Sequence, residues 1–188
     1  MIRGWHDLLF TFTGVAALTV FTLPLAALVV VVIAGVRQWR RRPHAWRTSV
    51  AQVGLVHGTV PFVWLTMMPG SRAGEVTGSV SMVPLRDLET MDTGQVVGNL
   101  LILAALGFCL PVLSSTWASI PRIVVLAAGC STVIEVLQYV LLLDRVSSVD
   151  DVLLNTAGAG LAAIASSPWW RGSGTSRHVG APGWAEIG

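Results

Sequence analysis

Residues 123–144 read IVVLAAGCSTVIEVLQYVLLLD. The stretch exceeds the roughly 20 residues that an α-helix needs to cross a bilayer core about 30 Å thick. Yet it carries Glu135 and Gln138 well inside its ends. A carboxylate at the centre of a span costs about 2.5–3.5 kcal/mol on insertion scales unless it is paired, protonated or hydrated. Glu135 therefore calls either for a function or for a partner that locks two helices together.

Four further uncharged runs approach the same length: Leu8 to Val36, Ser49 to Met68, Val96 to Leu113 and Val152 to Ser167. With 53% hydrophobic and 12% charged residues and a mean hydropathy of +0.70, the composition excludes an ordinary soluble domain. The expected fold is all-α, a polytopic membrane helical bundle with about five transmembrane helices. Leu8 to Val36 is too long for a secretory signal and runs into RQWRRR rather than a small-residue cleavage site, so it reads as a retained helix. The second run, interrupted by Pro61, and the short fifth are expected to be kinked, tilted or shielded by neighbours.

All cationic side chains are arginines. Placing the loop after the first span in the cytoplasm puts Arg37, Arg40, Arg41, Arg42, Arg47, Arg122, Arg171 and Arg177 inside, and leaves Arg3, Arg72, Arg86 and Arg145 outside. That asymmetry favours an outer N-terminus and a cytoplasmic C-terminus. Trp39, Trp46, Trp117, Trp169 and Trp170 then fall near inner ends, and Trp5 and Trp64 near outer ends, as an interfacial belt requires. The block QWRRRPHAWR suits anionic lipid headgroups, and no basic domain accompanies it to suggest a nucleic-acid partner. Cys109 and Cys130 lie inside spans without metal or redox spacing and read as small apolar residues.

Three regions follow: a two-span region with an external loop over 1–82, a three-span core over 83–167, and a flexible cytoplasmic tail over 168–188, rich in Gly and Ser. Residues 69–94 form the largest external segment, readable as a flexible loop or, through VSMVPL, as an interfacial stretch. The connections SSTWASIPR and DRVSSVD make spans three, four and five antiparallel neighbours.

On a helix advancing about 100° per residue, Ser131, Glu135, Gln138 and Tyr139 share one face, and so do Asp151, Asn155, Gly158 and Ala162. Gln138 lies about 8 Å below the outer boundary, Asn155 about 6 Å and Glu135 about 12 Å, from a rise of about 1.5 Å per residue. Asn99 enters the third span near the same level, and Arg145, Asp150 and Asp151 ring the connection above. The expected product is a polar pocket open to the outer face. The small residues TAGAGLAA, 156–163, permit close backbone approach, and Gly158 is expected to pack span five on span four. His57 is the other ionisable group within a span, readable as a bonded core histidine or a site residue.

Three separated motifs, VGNLLILAALGFCLP, STVIEVLQ and DRVSSVDDVLLNTAGAGLA, resemble in order and spacing those of the VanZ-like family of small bacterial membrane proteins. The resemblance runs from about Val83 to Ala163, leaving spans one and two outside it. It implies that Asn99, Glu135, Gln138, Arg145, Asp150, Asp151 and Asn155 are the family's polar positions, with Gly107 and Gly158 serving packing. Where the family often has Phe-x-Pro ahead of the Gly-Phe pair, this chain has Leu103 and Ala105, which removes the proline that would kink the helix. The resemblance further implies a bacterial cell-membrane location, an envelope role and a link to glycopeptide (teicoplanin) resistance.

The leading functional reading is recognition of a lipid-linked or amphiphilic envelope molecule at the outer leaflet. Its ligand would be a membrane lipid, a lipid-linked cell-wall precursor or a glycopeptide. The amides would meet sugar or peptide groups, Arg145 an anionic group, and the membrane walls a tail. No cofactor or metal is expected. The alternative is a membrane-embedded enzyme acting on a lipid-phosphate or glycan substrate, with Glu135 and Asp151 as an acid and base pair, or with Asp150 and Asp151 on a divalent ion. A third reading, a helix-packing scaffold, needs only the small-residue faces.

Overall fold

The computed structural model describes residues 9–75 and 78–170. Arg3, Trp5, Arg171, Arg177 and nearly all of the expected tail lie outside the described residues. Among the described residues five long helices form: α1 over Phe12–Trp39, α2 over Ala45–Thr66, α3 over Thr93–Leu113, α4 over Ile120–Val140 and α5 over Val149–Ser166. Three of them, α1, α3 and α4, are long and apolar enough to cross a membrane on those grounds alone. Exposed apolar side chains belt the bundle, among them Phe21 at 81% and Val125 at 73% exposure. Such a surface is stable against hydrocarbon, not water.

The layout follows from which helices carry small residues. α5 packs against both α3 and α4, α2 packs against α3, and α1 packs mainly on α2. Buried Ile102, Leu103, Ile123, Ala127, Ile134, Ala159 and Ala163 form the main core. α1 is broken at Thr22, between Phe12–Phe21 and Leu23–Trp39. Pro24 lies in the first turn of the second half, where its missing N–H breaks the ladder without leaving a donor unpaired. α2, by contrast, runs unbroken through Pro61.

α3 is also broken, at Leu103, between Thr93–Ile102 and Ala104–Leu113, without any proline at the break. On either side of that break its backbone meets α5. A Cβ on Gly158 would lie 1.9 Å from the Leu100 carbonyl oxygen, and one on Gly107 would lie 2.1 Å from that of Ala159. The expected packing of Gly158 on span four is thereby corrected. The small-residue stripe fits α3, because that is where backbone, rather than side chain, faces it.

The segment between α2 and α3, called the external segment because it lies outside the helices, is ordered in its described part. β1 (Ser79–Ser81) pairs in parallel with β2 (Val146–Ser148), and a short 3-10 turn covers Asp87–Glu89. Val80, Met82, Val83 and Leu85 of the VSMVPL stretch remain exposed. Of the tryptophans, Trp39, Trp46, Trp64 and Trp169 are exposed near helix ends, whereas Trp117 and Trp170 turn inward onto the core. Cys109 and Cys130 are free thiols.

Candidate functional site

Helix polarity gathers the C-termini of α2 and α4 and the N-termini of α3 and α5 at one end of the bundle. A cavity of about 310 Å³ opens there, lined by Asn99, Glu135, Gln138, Arg145, Asp151 and Asn155 together with Thr66, Gln95, Ile102, Ile134 and Val146. Six of the seven polar positions expected from sequence therefore meet around one space. Asp150 is the exception.

On α4, Ser131, Glu135 and Gln138 are buried on one face, as the helical spacing requires. Tyr139 leaves that face: it is 45% exposed, and its ring lies against Gly78 of the external segment. The Asn155 amide donates to Ser131 Oγ at 2.8 Å, so the stripes of α4 and α5 do face each other. Asn155 is 1% exposed, and its Oδ1 has no partner. A buried acceptor without a donor costs about 1–3 kcal/mol, and a ligand or water in the cavity would supply the missing donor.

Gln138 and Arg145 close the end of α2, whose last carbonyls have no partners within the helix. Gln138 Nε2 donates to the Thr66 carbonyl at 2.7 Å. Arg145 donates through Nε to Met68 and through Nη2 to Leu65, each at 3.3 Å. These bonds use part of the guanidinium's five donors, and its charge sits favourably at a helix C-terminus. Asn99 Nδ2 donates to Asp151 Oδ1 across α3 and α5.

Glu135 is bound to β2. Its Oε2 accepts from the Ser148 backbone N–H at 3.1 Å, and its carbonyl accepts from Ser147 Oγ at 3.0 Å. Ser148 also caps α5, its Oγ accepting from the Asp150 N–H at 3.1 Å while donating to Asp87 Oδ2 at 2.6 Å. That hydroxyl, and after it that of Ser81, holds the Asp87 carboxyl below the usual carboxylate range. One serine thus ties the cavity, the helix cap and the external segment. Ser147 and Ser148 share no helical stripe with the other polar positions, and their only mark in the sequence is a serine ahead of two acids at a helix start, a capping signal.

The Asp150 carboxylate accepts backbone N–H groups of the external segment: Leu85 at 2.5 Å, Asp87 at 2.9 Å and Leu88 at 3.2 Å. Its carboxylate and that of Asp151 serve different partners and do not converge, which removes the basis for placing a divalent ion between them. Among the described residues no group of three or more His, Cys, Asp and Glu side chains could hold a metal ion. His57 also lies apart from the cavity, in the seam between α1 and α2, with its Nε2 unpartnered.

Asp150→Ala is expected to free the external segment while leaving the bundle folded. Hydrogen bonds to a charged group contribute about 1.5–3 kcal/mol each. Amide exchange at Leu85, Asp87 and Leu88 should therefore accelerate by about tenfold or more. Unchanged protection there would show that the strand pair alone holds the segment.

The fold and this cavity define a polytopic helical membrane protein with a polar, carboxylate-bearing chamber at one end. The family whose model is described as VanZ/LLP1 matches residues 21–170, and the chain belongs to that family. The match reaches back through most of α1 and all of α2, beyond the three-span region in which the motif resemblance lies. No curated protein and no solved structure matches the chain.

Proposed function

We propose that the protein recognises an amphiphilic envelope molecule, its polar head in the carboxylate-bearing cavity and its tail in an adjoining apolar groove. The observation that carries the reading is the junction at Ile134. This residue walls both the polar cavity and a lateral groove of about 890 Å³ lined by Val63, Leu103, Leu126, Gly129 and Val133. Both volumes lie in the range of small-molecule sites. Glu135 and Asp151 would accept hydroxyl or amide protons, Asn155 Oδ1 would take one more, and Arg145 at the rim would meet an anionic group. A lipid-linked cell-wall precursor or a membrane lipid has this chemistry. Altered glycopeptide (teicoplanin) sensitivity would follow from capture of such a molecule.

Lipid that co-purifies with the protein, identified by mass spectrometry, tests the reading. The wild type is expected to retain one amphiphile far above its membrane abundance. Val133→Trp, at a 58% exposed groove position, should fill the groove and release it. Bulk lipid in membrane proportions from both proteins would overturn the proposal. Catalysis on a lipid-phosphate or glycan is the second reading, favoured by Glu135 and Asp151 lining the same cavity. Its sign would be turnover of the retained amphiphile.

The arginine asymmetry supports an orientation with the cavity outside and the C-terminus cytoplasmic. Single cysteines at exposed Gln38 and at 74% exposed Met82, on a background lacking Cys109 and Cys130, report it. Gly78 is less suitable, since a Cβ there would lie 2.8 Å from the Tyr139 ring. Membrane-impermeant reagent added outside should label position 82 and spare position 38. The opposite pattern would reverse the orientation.

A further inference from the structure

At the other end of the bundle the turn between α1 and α2 is shaped around arginines. The Arg41 N–H donates to the Gln38 carbonyl and the Arg42 N–H to that of Arg37, each at 2.9 Å. This paired closure normally places glycine at the left-handed position. Here Arg41 occupies it with φ 52°, and His44 follows with φ 55°. Side chains in that region carry a backbone cost of order 1 kcal/mol.

The turn borders a cavity of about 510 Å³ lined by Arg37, Arg40 and Arg42 together with Val32, Ile33 and Val36. Arg37 is held in place, donating to Ser49 Oγ at 2.9 Å and to Gln52 Oε1 at 2.5 Å. Arg40 and Arg42 are exposed. No carboxylate occurs between residues 8 and 74, and none of these arginines forms an ion pair among the described residues. Ile33 also lines a second, mostly apolar space of about 360 Å³ that runs up the seam between α1 and α2 past Leu25, Val29 and Val56.

We infer that this end of the α1–α2 seam is a binding site for an anionic phospholipid. Its phosphate is held by Arg37, Arg40 and Arg42, and one acyl chain lies in the seam beyond Ile33. Guanidinium groups suit phosphate oxygens because their planar donors match them two at a time. The apolar wall continuing from the cluster favours a phosphate that carries a tail. The site is separate from the polar cavity, at the opposite end of α2, and does not depend on the function proposed for that cavity.

The test uses the full-length protein in detergent, titrated with phosphatidylglycerol or with phosphatidylcholine of the same chains and followed by native mass spectrometry. Phosphatidylglycerol should bind preferentially. The double variant Arg40→Gln/Arg42→Gln should lower that binding roughly thirtyfold, from the contribution of each arginine near an anionic lipid. Val36→Trp, which fills the apolar wall and keeps every arginine, should lower it as well. Arg41→Gln removes one charge outside the cavity lining, and should lower binding clearly less than Arg42→Gln, since it takes no paired donor away from the bound phosphate. Equal losses from Arg41→Gln and Arg42→Gln, or no preference between the lipids, would overturn the site in favour of diffuse surface attraction. Displacement of the lipid by millimolar inorganic phosphate would overturn the lipid assignment in favour of free phosphate.

Discussion

Gly158→Leu is expected to prevent accumulation of folded protein, and Gly158→Ala to lower its melting temperature clearly. A Cβ at position 158 would stand 1.9 Å from the Leu100 carbonyl oxygen and 2.7 Å from its carbon. These are backbone atoms, which cannot swing aside as the tip of a side chain does. Relief requires α5 to move away from α3, and on the same interface a Cβ added to Gly107 would stand 2.1 Å from the Ala159 carbonyl oxygen. Separating the helices would open both approaches together. Overpacking costs about 1–3 kcal/mol even where side chains can adjust, a large share of a total stability of roughly 5–15 kcal/mol. Gly98→Ala is the control, because nothing lies within 4 Å of a Cβ there, and its melting temperature should match the parent or rise slightly. Size-exclusion profiles after heating measure all three variants. A normal Gly158→Leu profile would mean that α5 and α3 do not approach in this way.

Glu135→Gln is expected to abolish retention of the amphiphile while leaving the fold intact. The Ser148 N–H donates to Glu135 Oε2 at 3.1 Å, and a glutamine oxygen can accept the same bond. What the substitution removes is the ionisable carboxyl that lines the cavity. Glu135→Leu is a poorer probe. It strands the buried Ser148 N–H at a cost of about 1–3 kcal/mol, so the stabilisation often gained by replacing a buried ion with an apolar residue does not apply. Thermal stability and bound lipid are measured on the same preparations. Full retention by a stable Glu135→Gln protein would reduce the carboxylate to a bond acceptor between α4 and β2, and the functional reading of this glutamate would fall.

The sequence by itself determined the helices and the membrane setting, because both depend on local quantities. A run of apolar residues long enough to cross a bilayer is visible without knowing its neighbours. Helical spacing also placed Ser131, Glu135 and Gln138 on one buried face, and short connections set α4 beside α5. Depth along the spans put Asn99 and Arg145 at the same end, the motif resemblance grouped them with the others, and the cavity contains both.

Only the tertiary structure decided how those residues divide their duties. Asp150 and Asp151 are adjacent in the chain, and a helical step of about 100° turns them to different partners. One holds the external segment through backbone N–H groups, while the other faces Asn99. The partner of Gly158 could not be read either, since small residues permit close approach without specifying which backbone approaches. The pairing of Ser79–Ser81 with Val146–Ser148 joins two three-residue stretches far apart in sequence, neither with an alternating pattern to mark it as a strand. The orphaned Asn155 Oδ1 and the shared wall at Ile134 arise where several helices meet. Periodicity reports one helix at a time, whereas a cavity is a property of the space between them.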